Sequence, residues 1–168
     1  MEPDEQGEVT PETAESTTPL HPDQVKVLRI RTMLAAAVLV AASYAAGLAL
    51  RETPVPPYAL PGAMLLLALV AVIVLPRRRY RAWGYKEGEE ELAIRRGMLV
   101  RVRTIVPFGR VQHIDVAQGP IERRFGLSTL ILHTAGTRGA AVPLPGLKQE
   151  LAEAMRDRIR ARIRQDLT

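Results

Sequence analysis

The sequence contains no cysteine among its 168 residues. Disulfide frameworks, thiolate zinc sites and cysteine nucleophiles are therefore excluded, and cysteine usage gives no information about the redox compartment. Lysine and arginine are absent from the first 23 residues, which carry seven of the 18 acidic residues. The rest of the chain then holds 23 bases and 11 acids, a net charge of +12. The positive charge of this part of the chain suggests attraction to anionic lipid headgroups.

Several chemical motifs are missing as well. The sequence has no G-x-S-x-G elbow, no H-E-x-x-H pair and no phosphate-binding P-loop. It also lacks a recognition helix, an RNP-like aromatic pair and a zinc finger, so we do not expect nucleic acid as a partner despite the basic composition.

What the sequence does have is two uncharged apolar runs of 18 residues, at 33–50 and 58–75. As α-helices they would be roughly 27 Å long at about 1.5 Å per residue, close to the hydrocarbon thickness of a bilayer. We predict two transmembrane helices joined by an external loop at 51–57. A buried hairpin of a soluble protein is the first alternative, although such runs usually span membranes. A cleaved signal peptide is disfavoured, because about thirty acidic and polar residues precede the first run.

Basic residues flank the two runs unequally. Three precede the first run, only Arg51 lies between the runs, and five follow closely after the second. The positive-inside rule therefore predicts that both termini lie in the cytoplasm. We expect the protein to reside in the plasma membrane. Without a charge inside either run, an ion path is not expected. Residues 76–82 form a basic connector, and the expected juxtamembrane anchors are Arg77, Arg78, Arg79, Arg81 and Trp83.

The chain before the first run divides into two parts. Residues 1–22 are rich in Glu, Thr and Pro, which predicts a disordered acidic tail. A docking or regulatory tail is the functional alternative to a solvated extension, which we favour. Residues 23–32 form a juxtamembrane segment, expected as a short helix near the interface.

After the second run the pattern changes to the period-2 alternation of half-buried strands. It predicts a β-hairpin over 91–106 that turns at Gly97, with Leu92, Ile94, Val100 and Val106 on one face. Further strands are expected near 83–86, at 111–118, at 127–135, and at 140–143, where Pro143 and Pro145 limit the last one. Ile114, Val116, Leu130 and Leu132 are predicted to point inward, a helical turn is expected between Pro120 and Gly126, and a turn at 136–139.

Residues 147–166 predict a basic amphipathic helix. Its apolar stripe is expected to cover the sheet rather than to insert into the membrane, because a small antiparallel sheet needs a second layer. The stripe consists of Leu147, Leu151, Ala154, Met155, Ile159 and Ile163. The predicted fold class is α+β: a two-span helical hairpin, then a cytoplasmic domain over 83–168 that is a pleckstrin-homology-like (PH-like) β-sandwich or barrel closed by this helix.

Four short motifs make this order of strands and helices more specific. They are IRRG at 94–97, VPFGRVQ at 106–112, VAQGPIERRFGL at 116–127 and HTAG at 133–136. Together they resemble the bacterial PH-like membrane proteins of the YdbS-like family, over about residues 20–165. The resemblance implies the fold, the topology and a membrane location, and it provides no catalytic residues or cofactor. It also implies a membrane-protein partner with a related domain. A homo-oligomer is the alternative to such a partner.

Three groups of residues are candidates for function, and their chemistry differs. Arginine binds phosphate well because its planar fork donates two parallel hydrogen bonds. The candidates for lipid or phosphate binding are Arg95, Arg96, Arg101 and Arg103, and those for partner binding are Arg123, Arg124 and Phe125. A generic solvated basic face is the alternative to a headgroup site.

The third group is a remote candidate for a hydrolase or metal site, namely His113, Asp115 and His133, with Ser128 as the conceivable nucleophile. Ser128 has the opposite strand parity from His133 and no motif supports either chemistry. We therefore interpret these as polar residues on an outer strand face and predict no catalytic residue, metal or cofactor.

Overall fold

A computed structural model describes residues 17–49, 56, 58–135 and 141–165. The predicted tail before residue 17, most of the external loop at 51–57, the turn at 136–139 and the predicted helix end at Asp166 lie outside these residues. The helices are α1 (Gln24–Ala49), α2 (Ala59–Arg81), α3 (Pro120–Arg124) and α4 (Gln149–Gln165). The strands are β1 (Gly84–Glu87), β2 (Glu91–Arg96), β3 (Val102–Pro107), β4 (Val111–Ala117), β5 (Leu127–Thr134) and β6 (Ala141–Lys148), with a 3₁₀ turn at Phe108–Arg110.

The two long helices pack against each other, and both are long and apolar enough to cross a membrane. Large side chains along them, such as Val38 and Leu66, are 68% and 64% exposed in the isolated chain. In a bilayer these side chains face acyl chains, whereas in water so large an apolar surface would be unfavourable. Both helices also extend beyond the predicted spans. The first begins at Gln24 rather than at Met33, and the second continues through Pro76 to Arg81.

The domain consists of two three-stranded antiparallel sheets, ordered β1-β2-β3 and β4-β5-β6, which are not closed into a barrel. Alternate residues of each strand point into one shared core, as the period-2 pattern predicts. Leu92, Ile94, Leu130 and Leu132 are all fully buried there. Ile114 and Val116 pack against this core, which confirms their predicted inward orientation.

Helix α4 closes the domain with a different apolar stripe from the one predicted. Met155 and Ile159 are buried in the core, as expected, so the helix covers the sheets. The third buried position is Ala152 rather than Leu151 or Ala154, both of which are exposed. Leu147 itself belongs to β6, and α4 begins two residues later with Ala152, Met155 and Ile159 on the face that packs against the sheets.

Two other strand predictions were wrong in detail. Strand β6 runs through both prolines to Lys148 instead of ending at Pro143. It is an edge strand, where a missing N–H can face away from the ladder, and a register shift opposite Pro145 relieves the pairing. Val100 does not point inward, because β3 begins only at Val102 and Val100 is 73% exposed.

The last residues of the predicted tail are part of the domain. Thr18 pairs with Tyr85 on the free edge of β1, with N–O distances of 2.8 and 3.0 Å. Leu20 is buried in the core, and its carbonyl accepts a hydrogen bond from the Tyr80 hydroxyl at 2.9 Å. Residues 17–22 therefore connect the end of α2 to the sheet edge, before the chain enters α1.

Candidate functional site

Helix α2 ends beside the turn between β2 and β3, and a cleft of about 410 Å³ lies between them. We call it the proximal cleft, because it lies next to the end of the second apolar helix. One wall comes from α2 and the residue after it, and the other from the hairpin. Its lining residues are Arg78, Arg81, Ala82, Arg95, Gly97, Met98, Leu99 and Arg101.

Among the residues that the structure describes, four arginines and no acidic residue line the proximal cleft. Within the part of the chain that the structure describes, none of the four forms a salt bridge with a carboxylate. Guanidinium groups gathered in this way repel one another, and a phosphate between them would offset that repulsion through charge-assisted hydrogen bonds. The cleft is therefore chemically suited to an anionic phosphate group.

The structure divides the four arginines that the sequence grouped together. Arg95 and Arg101 line the proximal cleft, joined there by two of the predicted juxtamembrane anchors, Arg78 and Arg81. Arg96 lies in a neighbouring cleft with Arg31 and Arg79. Arg103 lines a smaller one beside Thr17, and Arg95 lines that cleft as well. The charges come from distant segments of sequence, so no local motif could have revealed this combination.

The turn that forms one wall of the proximal cleft is apolar and exposed. Met98, Leu99 and Val100 are 45%, 96% and 73% exposed. We call these three residues the hairpin tip. Sequence reasoning assigned Val100 to a strand face and missed the other two. The available signal was three consecutive apolar residues after Gly97, which interrupt the alternation of the flanking strands.

At the opposite end of β2, by contrast, the arginines are bonded to other groups of the domain. There Arg158 of α4 donates two hydrogen bonds to the Glu87 carboxylate, at 3.0 and 2.8 Å. These bonds raise the pKa of Arg158, because they stabilise its charged form. Arg162 donates to the Gly88 carbonyl at 2.6 Å and lies over the Phe108 ring. The arginines at this distal end are thus held by the domain itself.

The predicted partner-binding residues lie on and after α3. Arg123 and Arg124 are exposed, whereas Phe125 is partly buried, with the Lys26 ammonium 5.9 Å from its ring centroid. Glu122 beside them is only 5% exposed. Its carboxylate accepts hydrogen bonds from the Gly119 N–H at 2.8 Å and the Thr129 hydroxyl at 3.2 Å, and forms a 3.2 Å ion pair with Arg31 of α1.

A second contact joins α1 to the domain. Gly146 of β6 adopts φ +73°, and the buried Gln24 side chain packs where a β-carbon would otherwise lie. Val27 is fully buried next to this contact region. The segment 23–32 was expected as a short helix near the interface. From Gln24 onward it is the first part of α1, and its contacts fix the helical hairpin to the domain.

Trp83 was expected as a juxtamembrane anchor, and Tyr80 lies close to it at the end of α2. Both are partly buried and pack against the core cluster of the domain. Arg77 and Arg79 are exposed at the end of α2. The connection between membrane helix and domain therefore depends on apolar packing as well as on the basic side chains.

The histidine cluster does form, at the distal end of the second sheet. The Asp115 carboxylate lies 2.7 Å from His113 Nε2 and 3.1 Å from His133 Nε2. The two histidine Nε2 atoms both point at this one carboxylate and so do not converge on a common point. Among the described residues, no group of side chains is arranged to hold a metal ion. Ser128 is buried and lies five strand positions from His133, about 16 Å at about 3.3 Å per residue. The cluster and Ser128 are therefore not brought together as a nucleophile and base.

The fold and the site define a class of protein: a helical hairpin of membrane-spanning length that carries a PH-like domain. Comparison with known proteins makes the assignment specific. Residues 27–163 match the family model described as Bacterial PH domain, so the chain belongs to this family. It is also 34% identical over 144 residues to the transmembrane protein YdbS of Bacillus subtilis (strain 168), an alignment that covers 83% of this chain and 88% of YdbS.

These comparisons confirm the family resemblance. The chain is a membrane protein of the bacterial PH-domain family, with the PH-like domain after its two apolar helices. No solved structure matches the chain.

Proposed function

We propose that this protein is a non-enzymatic membrane protein that binds the phosphate of anionic lipid headgroups in its proximal cleft. The domain lies at the cytoplasmic face of the plasma membrane, and both termini are cytoplasmic. The observation that carries the proposal is the composition of the cleft at the end of a membrane-length helix. The described residues that line it include four arginines, from α2 and from the β2–β3 hairpin, and no acidic residue.

Position favours a lipid over a soluble anion. Arg78 and Arg81 follow directly after an apolar run that ends at Leu75, so they lie at headgroup depth if the run spans the hydrocarbon core. Arg95 and Arg101 share the cleft with them, so the hairpin must lie at nearly the same depth. Each basic residue near an anionic leaflet contributes about 1 kcal/mol of attraction. The inner leaflet then supplies the ligand at high local concentration.

The proposal can be tested on the full-length protein in detergent micelles that contain equal amounts of phosphatidylglycerol and phosphatidylcholine. Native mass spectrometry counts the lipids that remain bound to the protein. We expect preferential retention of phosphatidylglycerol, and loss of that preference in the Arg78→Gln/Arg101→Gln variant. Equal retention of both lipids by the unmodified protein would contradict the proposal.

A matched control separates a specific cleft from general positive charge. Arg160 and Arg164 of α4 line a cleft near His113, on the distal side of the domain. The Arg160→Gln/Arg164→Gln variant removes the same formal charge and should keep the preference for phosphatidylglycerol. If both double variants lose it equally, the binding reflects overall charge rather than the proximal cleft.

A second candidate function is binding of another membrane protein with a related domain, or of a second copy of this chain. The observation that favours it is the exposed Arg123–Arg124 pair at the surface of α3. Part of this surface already contacts α1, through Glu122 and Phe125, which leaves less of it for a partner. We therefore rank this function second.

Cross-linking in the native membrane tests the partner-binding function. We expect an adduct with a membrane protein of related fold, or a dimer of this chain, that is lost in the Arg123→Glu/Arg124→Glu variant. An adduct pattern that is the same in both proteins would argue against this surface.

A further inference from the structure

We infer that the hairpin tip, Met98–Leu99–Val100, inserts into the headgroup and upper acyl region of the bilayer that α1 and α2 span. The domain would then contact the membrane at a second place, in addition to its covalent connection through α2. This inference deepens the proposed function, because it adds an apolar contact beside the phosphate-binding cleft. It rests on that function only for the expectation that the lipids around the tip are anionic.

The first observation is the exposure of the tip. Leu99 is 96% exposed and Val100 73%, although both are fully apolar side chains. Burial of a leucine or valine side chain in an apolar environment is favourable, because it removes apolar surface from water. Three neighbouring apolar residues held in water therefore have a substantial free energy to gain from an apolar environment.

The second observation is that the backbone holds the tip in place. The β2–β3 ladder continues to its last pair, Arg96 with Val102, directly below the tip. Gly97 adopts φ +112°, and a β-carbon at this position would collide with the Val100 carbonyl oxygen. Only glycine therefore permits this turn, and the turn leaves the three side chains exposed beyond the last pair of the ladder.

The third observation is location. Met98 and Leu99 share the proximal cleft with Arg78, Arg81 and Ala82, at the end of α2. Since the apolar run of α2 ends at Leu75, the tip lies beside the point where that helix leaves the hydrocarbon. A protein partner would have to fit between the domain and the membrane surface, whereas lipid is already there.

The fourth observation is charge complementarity. Arg95 and Arg96 precede the tip, Arg101 and Arg103 follow it, and no acidic residue lies between them. Apolar residues bordered by basic ones are typical of segments that lie in a membrane interface, about 5–10 Å into the boundary between headgroups and acyl chains. The arginines would reach the phosphates while the apolar side chains enter the layer beneath.

Site-directed spin labelling tests the inference directly, because the chain has no native cysteine. Leu99→Cys carries the label at the tip of the full-length protein in nanodiscs. Glu89→Cys is the matched control, since Glu89 is exposed in the turn at the other end of β2. Accessibility of each label is measured to oxygen, which partitions into lipid, and to a water-soluble nickel complex.

We expect the label at residue 99 to lose accessibility to nickel and gain accessibility to oxygen relative to the label at residue 89. Equal nickel accessibility at the two positions would overturn the inference, because the tip would then lie in water. Shielding of residue 99 from both reagents would also overturn it, since that result indicates protein contact. Val100→Cys provides an independent label and should behave as residue 99 does.

Repeating the measurement in two lipid compositions distinguishes this inference from the proposed function. If residue 99 is immersed in pure phosphatidylcholine nanodiscs while the protein shows no preference for phosphatidylglycerol, insertion is supported and headgroup selectivity is overturned. If the protein selects phosphatidylglycerol but residue 99 remains in water, the insertion inference is overturned and the proximal cleft is supported.

Discussion

Arginines at the two ends of β2 have different surroundings. At the distal end Arg158 is held by Glu87 and Arg162 by the Gly88 carbonyl. At the proximal end four arginines line a cleft, and within the described residues no carboxylate pairs with them. The abundance of arginine therefore says little by itself about a binding site. Arginines that are bonded to a carboxylate or carbonyl of the domain stabilise the fold. Those that lack such a partner among the described residues remain able to bind a ligand.

Arg31 shows that an arginine near the proximal cleft can also be structural, since it lines only the neighbouring cleft. It pairs with Glu122, whose buried carboxylate also accepts hydrogen bonds from Gly119 and Thr129. This network connects α1 to α3 and lies outside the proximal cleft. Four predictions test the contrast between structural and ligand-binding arginines, starting with the largest expected effect.

Removing the carboxylate of this network should have the largest effect on stability. Glu122→Ala leaves the Gly119 N–H and the Thr129 hydroxyl without their acceptor, and Arg31 without its partner. Because a hydrogen bond to a charged group is worth about 1.5–3 kcal/mol, we expect a loss of about 3 kcal/mol in the free energy of unfolding. Thermal unfolding of the full-length protein in detergent measures it. An unchanged transition would show that α1 and α3 are not coupled in this way.

The two turns of β2 should differ in their tolerance of a β-carbon. At Gly97 the positive φ and the Val100 carbonyl make Gly97→Ala unfavourable by about 2 kcal/mol. At Gly88 a β-carbon meets the Glu91 carbonyl oxygen at 3.1 Å without a positive φ, so Gly88→Ala should cost less. The same unfolding measurement compares them. Equal costs at the two turns would contradict the account of the tip.

Neutralising the proximal cleft should change lipid selectivity rather than stability. Each arginine contributes about 1 kcal/mol of attraction to an anionic leaflet, so Arg78→Gln/Arg101→Gln should lower the selectivity by about 2 kcal/mol. The unfolding temperature should stay the same or rise, because like charges are removed from one cleft. A large loss of stability would indicate that these arginines are structural, as Arg31 is in its ion pair with Glu122.

The smallest effect is expected from the distal pair. Arg158→Ala breaks a two-bond ion pair whose Arg158 side chain is 45% exposed. Solvent-exposed pairs contribute about 0.2–1 kcal/mol, so unfolding should shift only slightly. Binding of phosphatidylglycerol should not change. Weaker lipid binding in this variant would remove the distinction between the two ends.

The regular features of the fold could be predicted from sequence because each depends on a local pattern. The apolar runs identify α1 and α2, and alternation places Leu92, Ile94, Leu130 and Leu132 in the core. The errors concern residues whose position depends on distant contacts. Leu20 is buried because the segment before α1 pairs with the sheet edge, and Ala152 is buried because α4 packs that face against the core.

The candidate site was harder to predict for the same reason. Arg95 and Arg101 could be identified as a basic hairpin, but their association with Arg78 and Arg81 depends on where α2 enters the domain. Arg96 and Arg103 belong to the same sequence cluster and line other clefts. Spacing along the sequence cannot show which of these arginines share a cleft. That depends on the twist of the strands and on where α2 enters the domain.

Selectivity in a bilayer tests the central claim most directly. Electron spin resonance of spin-labelled phosphatidylglycerol and phosphatidylcholine gives the relative association of each lipid with the reconstituted full-length protein. We predict a preference for phosphatidylglycerol at low salt that is lost in Arg78→Gln/Arg101→Gln and retained in Arg160→Gln/Arg164→Gln. A preference that is the same in all three proteins would contradict the assignment of the proximal cleft as a headgroup site.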